Sequence, residues 1–565
     1  MALRAPRALG LTLWLAVCFL VPNLGAASTD APLVNAVKLG DTAAVRVLLG
    51  QHPDVNAAEP DGTTALHWAV QRDNLEVVDL LLRAGASAKT ANRYGVTPLS
   101  VACTNGNAAI IQKLLNAGAD PNAPAPDGET ALMTAARTGK VAAVKMLLAS
   151  GADVNAKEQA RGQSALMWAA AENHAEAAAA LVEANADVSA RSNGGFTALL
   201  FAVRAGSMDA VKILLDAGAS ANDAIQPPGA ARPAATTRAQ PAGGQQAAAP
   251  GATRPAATPT RTEPAGGQQA AAPQRAQTTN GLQQLLSVFN TGSRGRSGAG
   301  GTDALMLAIT NAHFELAALL LDRGADPNAD AMGWTALHQL AWTRRPPIQH
   351  GLPPPVQTGN VDSLTLARKL LERGANPNAR MTREPSDGAR NILNRLGSTP
   401  FLQAAKLGDI PYMRLLVEHG ADASITTEEG ATALMAAAGV GIWQVGESAG
   451  SNEEAFEAVK ICYGLGNDVN ASDVNGDTAL HGAAHRGANE VVRFLVEKGA
   501  KMDVPNTLGW TPWIIADGVF YPNTYNRRLD TAQLLVKLGA STKAGTRRAA
   551  DLPPSEAQTA PAPRP

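Results

Sequence analysis

Thr64–Asp73, TALHWAVQRD, sets a hydroxyl, an imidazole and a carboxylate within ten residues of one another. Such a set supports hydrolysis when the imidazole takes the hydroxyl proton and the acid orients the ring. A second set, His481 and His485 in HGAAHRG, puts two imidazoles four residues apart on one helical face, the spacing of a zinc-binding pair. Both readings meet objections from the residues around them. The first stretch recurs as TALHQLAW at Thr335 and TALHGAAH at Thr478. Degenerate copies read TPLSVACT (Thr97), TALMTAAR (Thr130), SALMWAAA (Ser164), TALLFAVR (Thr197), TPFLQAAK (Thr399), TALMAAAG (Thr432) and TPWIIADG (Thr511). A catalytic set is not written so many times in one chain. In the second set Gly482 stands where a metalloprotease helix carries glutamate, and no third ligand accompanies the pair. A metal-dependent enzyme using His481 and His485 is the alternative carried forward, and no cofactor is expected.

The elements that position these residues follow from the period. From Leu66 the motif leucine steps to Leu99, Leu132, Leu166 and Leu199 at 33, 33, 34 and 33 residues, and the pattern resumes from Leu305 to Trp513 with spacings of 32 or 33 mixed with longer ones. A period of this length belongs to stacked repeats. Within one unit, Asp61-Gly62 suits a tight turn, and Thr64 suits an N-cap whose oxygen accepts an orphan amide. Proline occupies the next position at Pro98, Pro400 and Pro512, where its missing donor has no cost. Leu66, Ala69 and Val70 make the apolar stripe of a short first helix. LEVVDLLLRAG makes a second helix that Gly85 ends.

With its turn glycine, its TALH, its alanines and its closing GADPNA or GADVNA, the chain resembles the ankyrin-repeat family over residues 31 to 545, interrupted by insertions. DGTTALHWAV with LLLRAGASA, and NGDTALHGAAHRGANEVVRFLVEKGA (Asn475 to Ala500), carry the match. The resemblance implies an all-α solenoid whose unit is a β-turn finger followed by two antiparallel helices. Twelve units are expected, the first (Ala31 to Pro60) acting as a cap. It also implies that His67, His338 and His481 are scaffold histidines, hydrogen-bonded across neighbouring turns. His174 and His313 take the corresponding reading at the interhelical turn.

The 565 residues carry a formal net charge of −1, so no global field draws in nucleic acid or an anionic membrane, and SRGRSG at Ser293 ranks low as a nucleic-acid site. Hydrophobic residues reach 45% with only 4% aromatic, which suits closely packed helices. Arg4 and Arg7 before the apolar run Leu9–Val21, with small residues at Gly25–Ser28, read as an export signal spanning 1–27 and cleaved after Ala27. The run is short for a membrane span, and Val17 is a poor neighbour for lipidation at Cys18. The mature chain is therefore expected without stable membrane insertion, periplasmic or secreted, similar to exported bacterial ankyrin-repeat proteins. Cys103 and Cys462 are expected as separate core residues rather than a disulfide.

Residues 28–226 form a first block of a cap and five repeats, and 301–545 a second block of six. Between them lies a Pro/Ala/Gly/Gln-rich linker, 227–300, and after them a tail, 546–565; both compositions predict disorder. LQQLLSVF within the linker predicts a short amphipathic helix from Leu282 to Phe289. Insertions fall in the helix-to-helix turns of repeats eight, ten and twelve (about 344–361, 441–453 and 520–531), and a fourth, Met381 to Asn394, falls in a finger. In or beside the first three are Trp, Tyr and Arg, the types that most often dominate interfaces: Trp342, Arg344, Arg345 and His350; Trp443; Tyr521, Tyr525, Arg527 and Arg528. They point to a protein partner held along one edge, with a concave face around Trp334 and Trp510 as the next choice. The competing expectation is that these loops cover the array's own edge, tryptophans inward.

Overall fold

A computed structural model describes residues 32–226, 301–346, 355–385, 393–442, 450–520, 525–548 and 551. The export signal, the linker with its Leu282–Phe289 segment, and the tail beyond 551 lie outside them, as do His350, Trp443 and Tyr521.

Twelve helix pairs follow one another among the described residues, from Pro32–Leu39 with Thr42–Leu49 to Pro512–Asp517 with Leu529–Leu538. Most helices run to seven to nine residues, too short to persist alone in water. Their stability comes from packing, and the alanine and leucine of each TAL motif supply it: Leu66, Leu99, Leu132, Leu166, Leu199, Leu337, Phe401, Leu434 and Leu480 are all buried. Motif threonines start the first helices as expected. Thr97, Thr399, Thr432 and Thr511 each accept a backbone N–H from the third helical residue. Gly85, at φ 90°, ends a second helix in a conformation that a β-carbon would oppose.

One polar ladder joins successive units. The asparagine of the GADPNA-type ending donates its amide to the helix-ending glycine carbonyl of the next repeat and accepts an N–H two residues further on. Asn122 donates to Gly151 O at 2.9 Å and accepts from Asp153 at 2.7 Å. Asn378 and Asn470 repeat this with Gly420 and Asp422, and with Gly499 and Lys501. The asparagine recurs at a fixed place in the period, which is the signal of this ladder in the sequence.

Internal contacts divide the chain into two compact units, Met1–Ala135 with Lys140–Asp153, and Ala136–Gly139 with Val154–Pro565. The first holds the cap and the repeats that follow it. The second holds the rest, including both edges of the 227–300 segment. Those edges meet in one finger: Ile225 N–H donates to Thr302 O and Gly301 N–H to Ile225 O, each at 2.9 Å, and Asn222 continues the ladder to Gly324 and Asp326. The segment therefore leaves and re-enters at a single finger, and the helix Ala198–Ala205 packs on Ala304–Thr310.

Candidate functional site

The motif histidines show what the recurring imidazole does. In His67, Nδ1 accepts the N–H of Thr64 at 3.2 Å and contacts its hydroxyl at 2.8 Å, while Nε2 meets the carbonyl of Val96 in the next finger at 3.0 Å. His338 does the same with Thr335 and Ser398, and His481 with Thr478 and Trp510. The ring is thus neutral with its proton on Nε2, stapling a helix start to the following finger. Burial pushes His338 and His481 down to about 4. With both nitrogens engaged, His481 has no lone pair to give a zinc ion, so the pair His481/His485 does not support metal chemistry. His174 Nε2 reaches Arg137 O at 3.1 Å, and His313 bridges Arg204 O and the Thr358 hydroxyl.

The inserts fall where the period placed them: between Ala336–Arg344 and Ser363–Glu372, between Ala433–Ala438 and Asn452–Gly464, and between Pro512–Asp517 and Leu529–Leu538. The last contains a two-stranded hairpin, Val519–Phe520 with Tyr525–Asn526. Arginines tie these inserts to neighbouring repeats. Arg344 forms a bidentate pair with Asp409 of repeat nine at 2.7 and 3.0 Å, with side chains 11% and 0% exposed. Its guanidinium also donates to Ser363 and lies 5.5 Å from the ring centre of the buried Tyr412. Arg345 reaches past repeat nine to Glu454 of repeat ten at 2.8 and 2.6 Å, and these bonds hold Glu454 below the usual carboxylate range. Arg486 of repeat eleven donates to Gly450 O and Ser451 O at the end of the repeat-ten insert. Arg528 in the repeat-twelve insert donates to His485 O.

Several residues put forward as partner contacts are therefore held inside the edge. Trp342 packs on a buried cluster of Met306, Trp334 and Met381, meets Trp334 edge-on at 5.8 Å, and donates to Gln403 at 3.1 Å. Trp334 and Trp510 are 8% and 3% exposed, so neither stands on an open concave face; Trp510 donates its indole N–H to Asp551 at 2.9 Å. Tyr525 is half-buried against Gly518. Arg527 keeps 44% of its side chain exposed, 3.6 Å from Asp517. The partners Asp409, Glu454 and Arg486 were missed in the sequence. Only Glu454 left a signal, as the fourth residue of the capping box Ser451-Asn-Glu-Glu.

Among the described residues no helix is long and apolar enough to cross a membrane. The family pattern described as ankyrin repeats (3 copies) matches residues 16–92, 33–125, 84–158, 132–224, 269–350 and 448–545, more than half of the chain. The ankyrin repeat and SOCS box protein 16 of Homo sapiens is 34% identical over 38% of this chain and 40% of its own length. The B-cell lymphoma 3 protein homolog of Mus musculus is 29% identical over 42% and 44% respectively. The serine/threonine-protein kinase 12 of Arabidopsis thaliana is 38% identical over 13% and 16%. The chain thus spans less than half the length of each of these relatives. The crystal structure of the ankyrin repeat domain of Bcl-3 is 32% identical over 34% of this chain and 88% of that one, with a TM-score of 0.32.

Proposed function

We propose, because the chain belongs to the ankyrin-repeat family, that it is a non-enzymatic scaffold holding a protein partner along the edge built by the inserts of repeats eight, ten and twelve. The observation carrying this reading is the edge itself. Three repeats lengthen the same turn; arginine pairs brace the first lengthened turn against repeats nine and ten, and arginine-to-carbonyl hydrogen bonds tie the other two to repeat eleven. Loops braced in this way lose less entropy when a partner binds, the usual condition for a useful binding surface. Arg527, the half-buried Tyr525 and the 81% exposed Val356 are among the described side chains on these inserts that a partner would meet, together with His350, Trp443 and Tyr521 from the sequence. Arg344, Arg345, Trp342 and Arg528 act one step back, by holding the loops.

The partner meets the chain in the cell envelope or outside the cell, on the strength of the Leu9–Val21 run and its flanks. Mass spectrometry of the mature N-terminus is expected to find cleavage after Ala27; a retained Met1 refutes export, and a lipidated Cys18 replaces it with anchoring. For the scaffold, all three inserts are shortened to ordinary ankyrin turns, and capture of the same envelope partner is compared with that by the full chain. Capture is expected to vanish while the helical signal persists. A trimmed protein that still captures the partner places the contact elsewhere.

A further inference from the structure

Two inserts converge on the first helix of repeat eleven, Ala479–Arg486. On one side the repeat-ten insert lies so close that a β-carbon on Gly482 would strike the backbone nitrogen of Val440 and stand 2.9 Å from the carbonyl carbon of Gly439. On the other side is Val519, from the hairpin of repeat twelve. Between them a small pocket of about 50 Å³ opens to solvent, walled by Val440, Ile442, Ile515 and Val519 with Trp510 and His485. That is far below the ~300–1,000 Å³ of sites that enclose a whole small ligand, so the pocket has room only for the end of one side chain.

The acid lining this pocket is Asp477, from the repeat-eleven finger. It accepts one hydrogen bond, from the amide of the buried Asn506 at 2.8 Å, and among the described residues no lysine or arginine pairs with it. Asp473, four residues earlier, adds negative charge, its carboxylate accepting the N–H groups of Asn475 and Asp477. Burial holds Asp477 above the usual carboxylate range, as befits a charge whose own chain offers it only a neutral amide. A carboxylate among apolar walls gains most from a cation brought to it. A purely apolar guest would desolvate Asp477 further without compensating it, and an anion would be repelled. Aliphatic walls leading to an acid match a methylene stem that ends in a charged head.

We propose that this pocket takes one ammonium or guanidinium group on an aliphatic stem, supplied by a lysine or arginine side chain of the protein partner. The source of the cation rests on the scaffold reading above; the chemistry of the pocket does not.

The test titrates the full chain with N-acetyl-lysine methylamide, N-acetyl-arginine methylamide, n-butylammonium and the uncharged N-acetyl-norleucine methylamide, following the assigned indole N–H resonance of Trp510. The lysine or arginine amide is expected to bind at least tenfold more tightly than the norleucine amide. Asp477→Asn, which keeps an oxygen for Asn506, is expected to erase that difference. Equal binding of the norleucine amide, or full discrimination by Asp477→Asn, overturns the proposal. Butylammonium binding more tightly than both cationic amides overturns the side-chain source in favour of a free amine. Should Asp477→Asn disturb folding, Ile442→Trp fills the pocket from the repeat-ten insert and must abolish the same binding. Partner capture separates the two readings. Capture that survives Asp477→Asn but is lost on insert shortening sinks this proposal and leaves the scaffold standing. Cation binding in the pocket, with capture indifferent to shortening, does the reverse.

Discussion

At Gly482 a single methyl group would meet backbone rather than a yielding side chain, because the repeat-ten insert passes directly over the helix. Gly482→Ala is expected to destabilise by about 1–3 kcal/mol, the usual cost of overpacking. Gly464→Ala, where an added β-carbon meets nothing within 4 Å in a helical backbone, is expected to stabilise by up to about 1 kcal/mol through helix propensity. Thermal melts of the pair check this, and equal shifts would remove the close approach. The buried histidines make a pH prediction. Their folded values of about 4 lie below the ordinary 6.5, so their contribution is fully present above pH 6.5. It is lost as pH falls from 6.5 toward 4, because the unfolded chain takes up protons that the folded rings refuse. Each contributes roughly 3 kcal/mol across that window. Denaturant midpoints measured from pH 7 to 4 should fall less steeply in His338→Gln/His481→Gln than in the parent; parallel curves would contradict the neutral staple.

Elements differ in how firmly they are tied. The repeat-eight insert begins with two adjacent arginines whose pairs are unlike. Asp409 is fully buried beneath Arg344, whereas Arg345 and Glu454 retain 26% and 35% side-chain exposure. Arg344→Ala leaves a buried carboxylate without its cation and is expected to cost about 3–5 kcal/mol. Arg345→Ala breaks a solvent-screened pair and should cost about 1 kcal/mol or less. Chemical denaturation of the two variants ranks them; equal losses would deny the difference in burial. At the finger where residues 226 and 301 come together, Asp303 caps its helix by accepting from Met306 at 2.7 Å, while burial pushes it up to about 6. A raised carboxylate opposes folding as pH climbs from 3.8 through 6. Asp303→Asn, which keeps a capping oxygen, is therefore expected to be more stable at pH 7 by on the order of 2 kcal/mol and no more stable at pH 3.5. A gain of the same size at both values would argue against titration.

At the scale of the whole molecule, the 227–300 segment interrupts the sequence without interrupting the ladder. Ile225 with Thr302, Asn222 with Gly324, and the packed helices Ala198–Ala205 and Ala304–Thr310 join its two edges inside one compact unit. A specific protease site placed within the segment should give two fragments that still co-elute in native gel filtration. Ile225→Asp, which puts a charge into the closed finger, should loosen them. Spontaneous separation of the parent fragments would show that the finger contributes little to their association.

Repetition made much of this legible from the residues alone. A motif spaced every 33 residues reports what each unit must do with its neighbour, because neighbours in a stack use the same positions. The helix pairs, the capping threonines, the scaffold role of His67, His338 and His481, and the turns that carry the inserts were all readable in that way. What only the tertiary structure decided lies where the period breaks. Trp342 turns inward, Arg345 finds Glu454 at a distance of 109 residues, the repeat-ten insert passes over Gly482, and the inserts of repeats ten and twelve wall one pocket with Asp477. An insert has no counterpart in the next unit, so its side chains are placed by packing between distant segments, and the sequence records their types without recording which of them are covered.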